Sequence, residues 1–172
     1  MRLLSSPRTM PLSTAIPSPD CNCLALRQAA RYVTQFYDQH LAPTGLRTTQ
    51  FSILAKLKRL GPMSINALAR ELVMDRTTLG RTMLPLERDG LIAVKDGRMD
   101  RRSKELAVTK AGSERLHRAG KLWVDAQRDF EHRFGARHAA DLRNLLTEVV
   151  SCDLDKAKVA STLQGHSPRA NL

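Results

Sequence analysis

Two stretches of this 172-residue chain concentrate side chains suited to gripping a polyanion. The first is RTTLGR, residues 76–81. Thr77 and Arg81 stand four apart, so on a helix they share one face. Gly80 lies alongside, and Arg76 and Thr78 flank the first turn. An arginine fork matches the major-groove edge of guanine, and threonine reaches a phosphate or a thymine methyl. The second stretch, Lys95–Lys104 (KDGRMDRRSK), holds five basic residues against two acidic ones, a net +3 in ten residues. Arg98, Arg101 and Arg102 on one short loop suit phosphates or a minor groove. Asp96 or Asp100 is placed to hold one of these arginines in a bidentate pose. Each stretch alone also fits a plain solvated face; their setting among the neighbouring elements favours nucleic acid.

The other reactive side chains are Cys21, Cys23 and Cys152. They are too few and too scattered for a disulfide scaffold. Cys21 and Cys23 fall in the first turn of an expected helix, where the positive end of the helix dipole makes a thiol more reactive. Asp20 next door opposes that, and a free cysteine also packs well as a small hydrophobe. Cys-x-Cys with one distant cysteine lacks a fourth ligand, and the five histidines have no paired spacing, so no metal or other cofactor is expected. The phosphate-loop, dinucleotide, nucleophile-elbow and zinc-protease signatures are absent, which argues against an enzyme.

Composition agrees. Lys plus Arg is 28 against 17 for Asp plus Glu, a net charge of +11. That excess favours nucleic acid first and an anionic membrane surface second. Aromatics are only 4%, against a sheet of base-stacking rings. No apolar run approaches the ~18 residues of a membrane span, so no membrane partner is expected. No signal-peptide pattern opens the chain, and a reducing cytoplasm is the expected setting.

The elements that must position these residues follow from periodicity and punctuation. Residues 1–18 read as a disordered leader. Ser18 and Pro19 suit the start of a first helix, with apolar rows Leu26, Ala30, Val33, Tyr37 and Ala25, Ala29, Tyr32, Phe36. Pro43 and Gly45 end it. Thr48 or Thr49 is placed to cap a second helix with Phe51, Leu54, Ala55 and Leu57 inward. Ser64 caps a short third helix, a tight turn falls at Val73-Met74, and Asp75 caps a fourth helix with the apolar stripe Leu79, Met83, Leu86. Pro85 inside that helix predicts a bend. Leu91–Lys95 and Leu106–Thr109 read as the two strands of a hairpin whose tip is the basic loop. A long helix from near Thr109 carries Leu116, Ala119, Trp123, Ala126 and Phe130 inward and breaks at Gly135. A last helix carries Leu142, Leu145, Leu146, Val149 and Val150. Residues 156–172 are a basic polar tail.

This order is a winged helix-turn-helix, a mainly α fold with a small β-hairpin wing. The stretch from about Leu24 to Asp153, some three-quarters of the chain, resembles the MarR family of bacterial regulators. The segments GLRTTQFSIL, SINALARELVMDRTTLGRTMLPLERDGLI and DGRMDRRSKELAVTKAG carry the likeness. Within the last, Asp100–Arg102 and the T-x-x-G of Thr109–Gly112 resemble the family's wing and the start of the next helix. The resemblance implies a domain over 19–155. Its dimerisation helices would lie at 19–47 and 113–155, and its DNA-binding lobe at 48–112. It further implies a homodimer on a near-palindromic double-stranded operator, most often a stress-response repressor released by a small phenolic ligand or an oxidant. Ser64, Arg76, Thr77, Thr78 and Arg81 would meet the major groove or its phosphates, and Arg98, Arg101 and Arg102 would form the wing contacts. Tyr32, Phe36 and Trp123 are effector-pocket candidates by type. The family's peroxide-sensing branch also places a cysteine early in the first helix. An alternative is therefore a thiol-based regulator linking Cys21 or Cys23 with Cys152. Another is a winged-helix module that docks on protein or RNA and reads no sequence.

Overall fold

A computed structural model describes residues 21–96 and 104–152 of the chain. The first helix, α1 (Asn22–Leu41), begins later than the Ser18 cap implied: Cys21 is its N-cap, and its sulfur accepts the Leu24 N–H. A 3₁₀ turn at Ala42–Thr44 follows, closed by Gly45 at φ +71°. Next comes α2 (Thr48–Leu60). Its N-cap is Arg47 rather than Thr48 or Thr49, and the Gln50 side chain accepts the Arg47 N–H at 2.9 Å. The remaining cap comes from α1. Asp38 Oδ1 accepts both the Thr48 N–H, at 2.6 Å, and the Thr48 hydroxyl, at 2.7 Å.

Ser64 caps α3 (Ile65–Glu71) as expected, with Oγ accepting from Ala67 N at 3.2 Å. The turn to the next helix is a Schellman arrangement: Val73 N–H donates to the Arg70 carbonyl and Met74 N–H to that of Ala69. Its left-handed residue is Val73, at φ +51°, a position normally given to glycine. Asp75 caps α4 (Arg76–Arg88), accepting from Thr78 N at 2.8 Å. Pro85 lies within α4, which continues through it. Proline offers no N–H to the Arg81 carbonyl, and the helix is held on both sides of it by buried Met83 and Leu86.

The wing is one strand larger than the hairpin read from the sequence. Met63–Ser64 (β1), Ile92–Asp96 (β2) and Lys104–Val108 (β3) form an antiparallel sheet in the order β1-β3-β2. Met63 pairs with Leu106, and Val94 pairs with Leu106 from the other side. Thr109 then caps α5 (Lys110–Phe134): its hydroxyl accepts the Gly112 N–H at 3.0 Å and lies 2.7 Å from the Gly90 carbonyl, to which it donates.

One core joins these elements. Leu41, Ile53, Leu54, Leu57, Leu68, Leu79, Leu86, Ile92, Leu106 and Ala119 are buried in it. Arg115 on α5 donates to the Thr44 carbonyl at 3.1 Å, and Lys56 on α2 pairs with Glu71 on α3 at 3.0 Å. Gly112 is where α5 meets the loop before the sheet: a Cβ there would stand 2.0 Å from the Leu91 carbonyl oxygen.

Residues from 127 onward form a second compact unit: the end of α5, Gly135 at φ +93°, and α6 (Ala136–Ser151). Inside it Arg143 on α6 reaches back to Glu131 on α5 at 3.0 Å. Leu145, Leu146, Val149 and Val150, expected inward, are exposed in the single chain. Among the described residues no helix is long and apolar enough to cross a membrane.

Candidate nucleic-acid interface

Helix α4 is built from its buried stripe outward. Leu79, Met83 and Leu86 are buried. At 100° per residue, positions 77, 81, 84 and 88 then fall opposite that stripe. All four are exposed, as are Arg76 and Thr78. The residues so presented are Thr77, Arg81, Leu84 and Arg88. Gly80 lies at the side of the helix, and the nearest atom to a Cβ placed on it would be a methyl of Ile65, 4.0 Å away. Ser64, the fifth expected groove residue, is half-buried and engaged in capping α3.

The face is positioned by its cap. Asp75 holds the first turn through the Thr78 N–H. The side-chain and backbone hydrogen bonds from Thr78 keep its carboxyl below the ordinary carboxylate range. Its negative charge compensates the positive end of the helix dipole.

The sheet carries the wing. β2 and β3 reach its base, where Asp96 pairs with Lys104 across the two strands. Asp96 therefore binds a lysine of the hairpin. Asp100 and the wing arginines Arg98, Arg101 and Arg102 lie outside the described residues.

The effector candidates are not brought to one place. Tyr32 is 76% exposed on α1. Phe36 packs edge-on against Tyr37 and beside His40. Trp123, expected inward, is 36% exposed and stacks on Phe51, with ring centroids 6.0 Å apart and planes 15° from parallel. That pair forms part of an open groove of about 320 Å³ with Ser52, Ala55, Lys56, Arg59 and Leu72. The sequence reading missed Phe51, Lys56 and Arg59 as lining residues. The signal was present in the i, i+4, i+8 spacing of Phe51, Ala55 and Arg59 on α2, which puts an aromatic and a cation on one helical row.

The three cysteines are unbridged. Cys21 is half-buried, whereas Cys23 and Cys152 are exposed. Among the described residues no group of three or more histidine, cysteine or acidic side chains gathers as a metal site.

Comparison with known proteins gives a concordant picture. Residues 46–104 match the profile of the MarR family. An uncharacterized HTH-type transcriptional regulator of Bacillus subtilis, YwoH, is 32% identical over 85 residues, 49% of this chain and 61% of that protein. The transcriptional activatory protein BadR of Rhodopseudomonas palustris is 34% identical over 90 residues, 51% of each protein. The chain thus spans only about half to three-fifths of the curated relatives it matches. The M. tuberculosis transcriptional regulator MosR, in a crystal structure in complex with DNA, is 36% identical. That match covers 78% of this chain and all of the other, at a TM-score of 0.66. A family of transcriptional regulators, not of enzymes, accounts for the helix order, the three-stranded wing and the shared residues. The chain belongs to the MarR family of winged-helix regulators.

Proposed function

We propose that this protein is a sequence-specific double-stranded DNA-binding transcription regulator acting as a homodimer. The observation that carries the reading is the outer face of α4, where Thr77 and Arg81 are exposed opposite a buried stripe and Arg76 and Thr78 are exposed beside them in the first turn. A helix so presented fits a major groove, and its arginine and threonine side chains match base edges and phosphates. The cationic tip with Arg98, Arg101 and Arg102 then supplies phosphate or minor-groove contacts, and Ser64 contributes from the start of α3. The net charge of +11 supplies attraction to DNA of any sequence. The exposed leucines and valines of α6, with Leu24, Leu26 and Tyr32 of α1, support a second copy as their cover.

The groove beside Trp123 supports release by a small aromatic acid: a stacked ring pair offers an apolar slot, and Arg59 offers charge beside Lys56, which is held by Glu71. In this account the protein represses and the ligand relieves repression. Selection of duplexes from a random library by the full-length protein tests the reading. The expected product is a near-palindrome with half-sites about one helical turn, ~10 bp, apart. Recovery of unrelated sequences, together with a monomeric size in solution, would favour the protein-docking alternative. Benzoate added to the selected complex is expected to release the DNA, and a reporter fused to the site distinguishes repression from activation.

One observation favours a thiol-responsive variant of this function. Cys21 caps α1 through its sulfur, 3.5 Å from Leu24 N, and Cys23 is exposed two residues on. Oxidation that bridges Cys21 to Cys152 would cost α1 that cap, and a bridge from either Cys21 or Cys23 would tie the start of α1 to the end of α6 and alter the helices supporting the DNA-binding lobe. Loss of specific DNA binding on mild oxidation, reversed by reductant and abolished by Cys152→Ser, is the expected signature.

A further inference from the structure

The outer face of α4 contains one residue that a purely polar interface does not explain. Leu84 is 62% exposed. It stands one turn beyond Arg81 and one turn before Arg88, at the pole of the helix opposite Leu79, Met83 and Leu86. Arg88 is engaged locally with Asp89 at 3.1 Å, so Leu84 is the next side chain along the row after Arg81 with no charge of its own to satisfy. Its place is fixed rather than loose. The residues on either side of the Leu84-Pro85 pair, Met83 and Leu86, are both buried. A residue preceding proline is disfavoured in helical geometry. The helix nevertheless runs on through the pair, because the core holds it there.

We propose that Leu84 is a specificity-determining residue that reads a thymine methyl in the major groove. This rests on the reading of α4 as the groove-entering helix. Among the base edges in that groove, the C5-methyl of thymine is the only methyl group; beside it stand small C–H edges such as cytosine C5–H, and the other features are hydrogen-bond donors or acceptors. A leucine carried into the groove has nothing to offer those donors and acceptors, and it would leave them unpaired on desolvation. Against a methyl it removes apolar surface from water on both sides. Along the helix axis Leu84 lies ~10 Å from Thr77, at a rise of ~1.5 Å per residue. That displacement is about three base pairs. Arg81 and Leu84 are ~4.5 Å apart along the axis, so the arginine-read base and the methyl-read base fall on the same or adjacent steps.

Replacing thymine by deoxyuridine deletes that methyl and leaves every hydrogen-bonding group in place. The test therefore scans a duplex selected from a random library, one thymine at a time, with full-length wild type and with Leu84→Ala. Wild type is expected to bind about fourfold more weakly when one particular thymine per half-site becomes deoxyuridine, the value of about one methyl-sized apolar contact. Leu84→Ala is expected to bind the unmodified duplex more weakly by a similar factor and to be indifferent to that same replacement. Alanine is a strong helix former and the site is exposed, so the variant keeps the fold, which its helical circular dichroism verifies. Two outcomes overturn the proposal: a wild-type profile with no methyl-sensitive position, or a Leu84→Ala profile that keeps every sensitivity of wild type. Failure of the library to yield any preferred sequence is a separate result, and it overturns the DNA-reading function beneath the proposal.

Discussion

A Cβ on Gly112 would lie 2.0 Å from the Leu91 carbonyl oxygen and 2.9 Å from its carbon. Only glycine lets the first turn of α5 close against the loop that leads into β2. The same junction is tied by the Thr109 hydroxyl, which donates to the Gly90 carbonyl, and by the Thr109 N–H, which donates to that of Leu91 at 3.1 Å. This knot fixes the start of β2 against the first turn of α5.

Gly112→Ala is therefore expected to destabilise the protein by about 3 kcal/mol, because a backbone carbonyl has no rotamer with which to yield. Gly120→Ala in the same helix is the counter-case. A Cβ there meets nothing within 4 Å, and alanine is the better helix former, so a gain of about 0.5–1 kcal/mol is expected. Urea unfolding followed by circular dichroism compares the two.

The turn of the helix-turn-helix stores strain at Val73, a β-branched residue at φ +51° with its side chain in solvent (72% exposed). The left-handed conformation costs an L-residue roughly 1–2 kcal/mol, and glycine is free of that cost but gives back part of it in unfolded-state entropy. Val73→Gly is expected to raise stability by about 1 kcal/mol without weakening DNA binding. Thermal unfolding and a binding titration check the two halves.

Asp38 links α1 to the start of α2 and does so as a carboxylate. Burial raises its pKa, but the hydrogen bonds from Thr48 N–H and hydroxyl and from Arg47 outweigh that, and the net effect is a lowered value. A carboxyl with a depressed folded-state pKa stabilises the fold above its unfolded value, near 3.9, and loses that contribution as pH falls through the folded value. Asp38→Asn should cost about 1 kcal/mol at neutral pH, the usual worth of a helix cap. The difference from wild type should shrink as the pH drops below about 4. Denaturation midpoints of both proteins across pH 3–7 measure it.

How much of this could be read from the chain alone depended on how local the cause was. Ser64 and Asp75 cap their own helices, and both were legible because an N-cap acts three residues away. The part of the α2 cap that comes from Asp38 was not, because that residue lies ten positions upstream on another helix. The stripe Leu79, Met83, Leu86 was visible in its spacing and is buried. β1 was invisible: two residues, Met63 and Ser64, carry no alternation, and only pairing with Leu106 and Glu105 makes them a strand. Trp123 stood in an inward row by period, yet it sits where that row leaves the core and stacks on Phe51 at the surface. The α6 residues Leu145, Leu146, Val149 and Val150 have the right period for burial but are exposed among the described residues. The basic stretch with Arg98, Arg101 and Arg102 stands out by charge in the sequence and lies outside the described residues.

The central claim is that α4 reads sequence and the wing supplies general attraction, and it is tested most directly by comparing Arg81→Ala with Arg101→Ala. Fluorescence anisotropy gives Kd for each on the library-selected duplex and on a scrambled duplex at fixed moderate salt. The account predicts a wild-type preference of ~10³ or more. Arg81→Ala should lose ~10- to 100-fold on the selected site, and little on scrambled DNA, as expected for one bidentate base contact. Arg101→Ala should weaken both nearly equally. If Arg81→Ala keeps the full preference of wild type, or weakens both duplexes alike, α4 is not the reading element and the account is wrong.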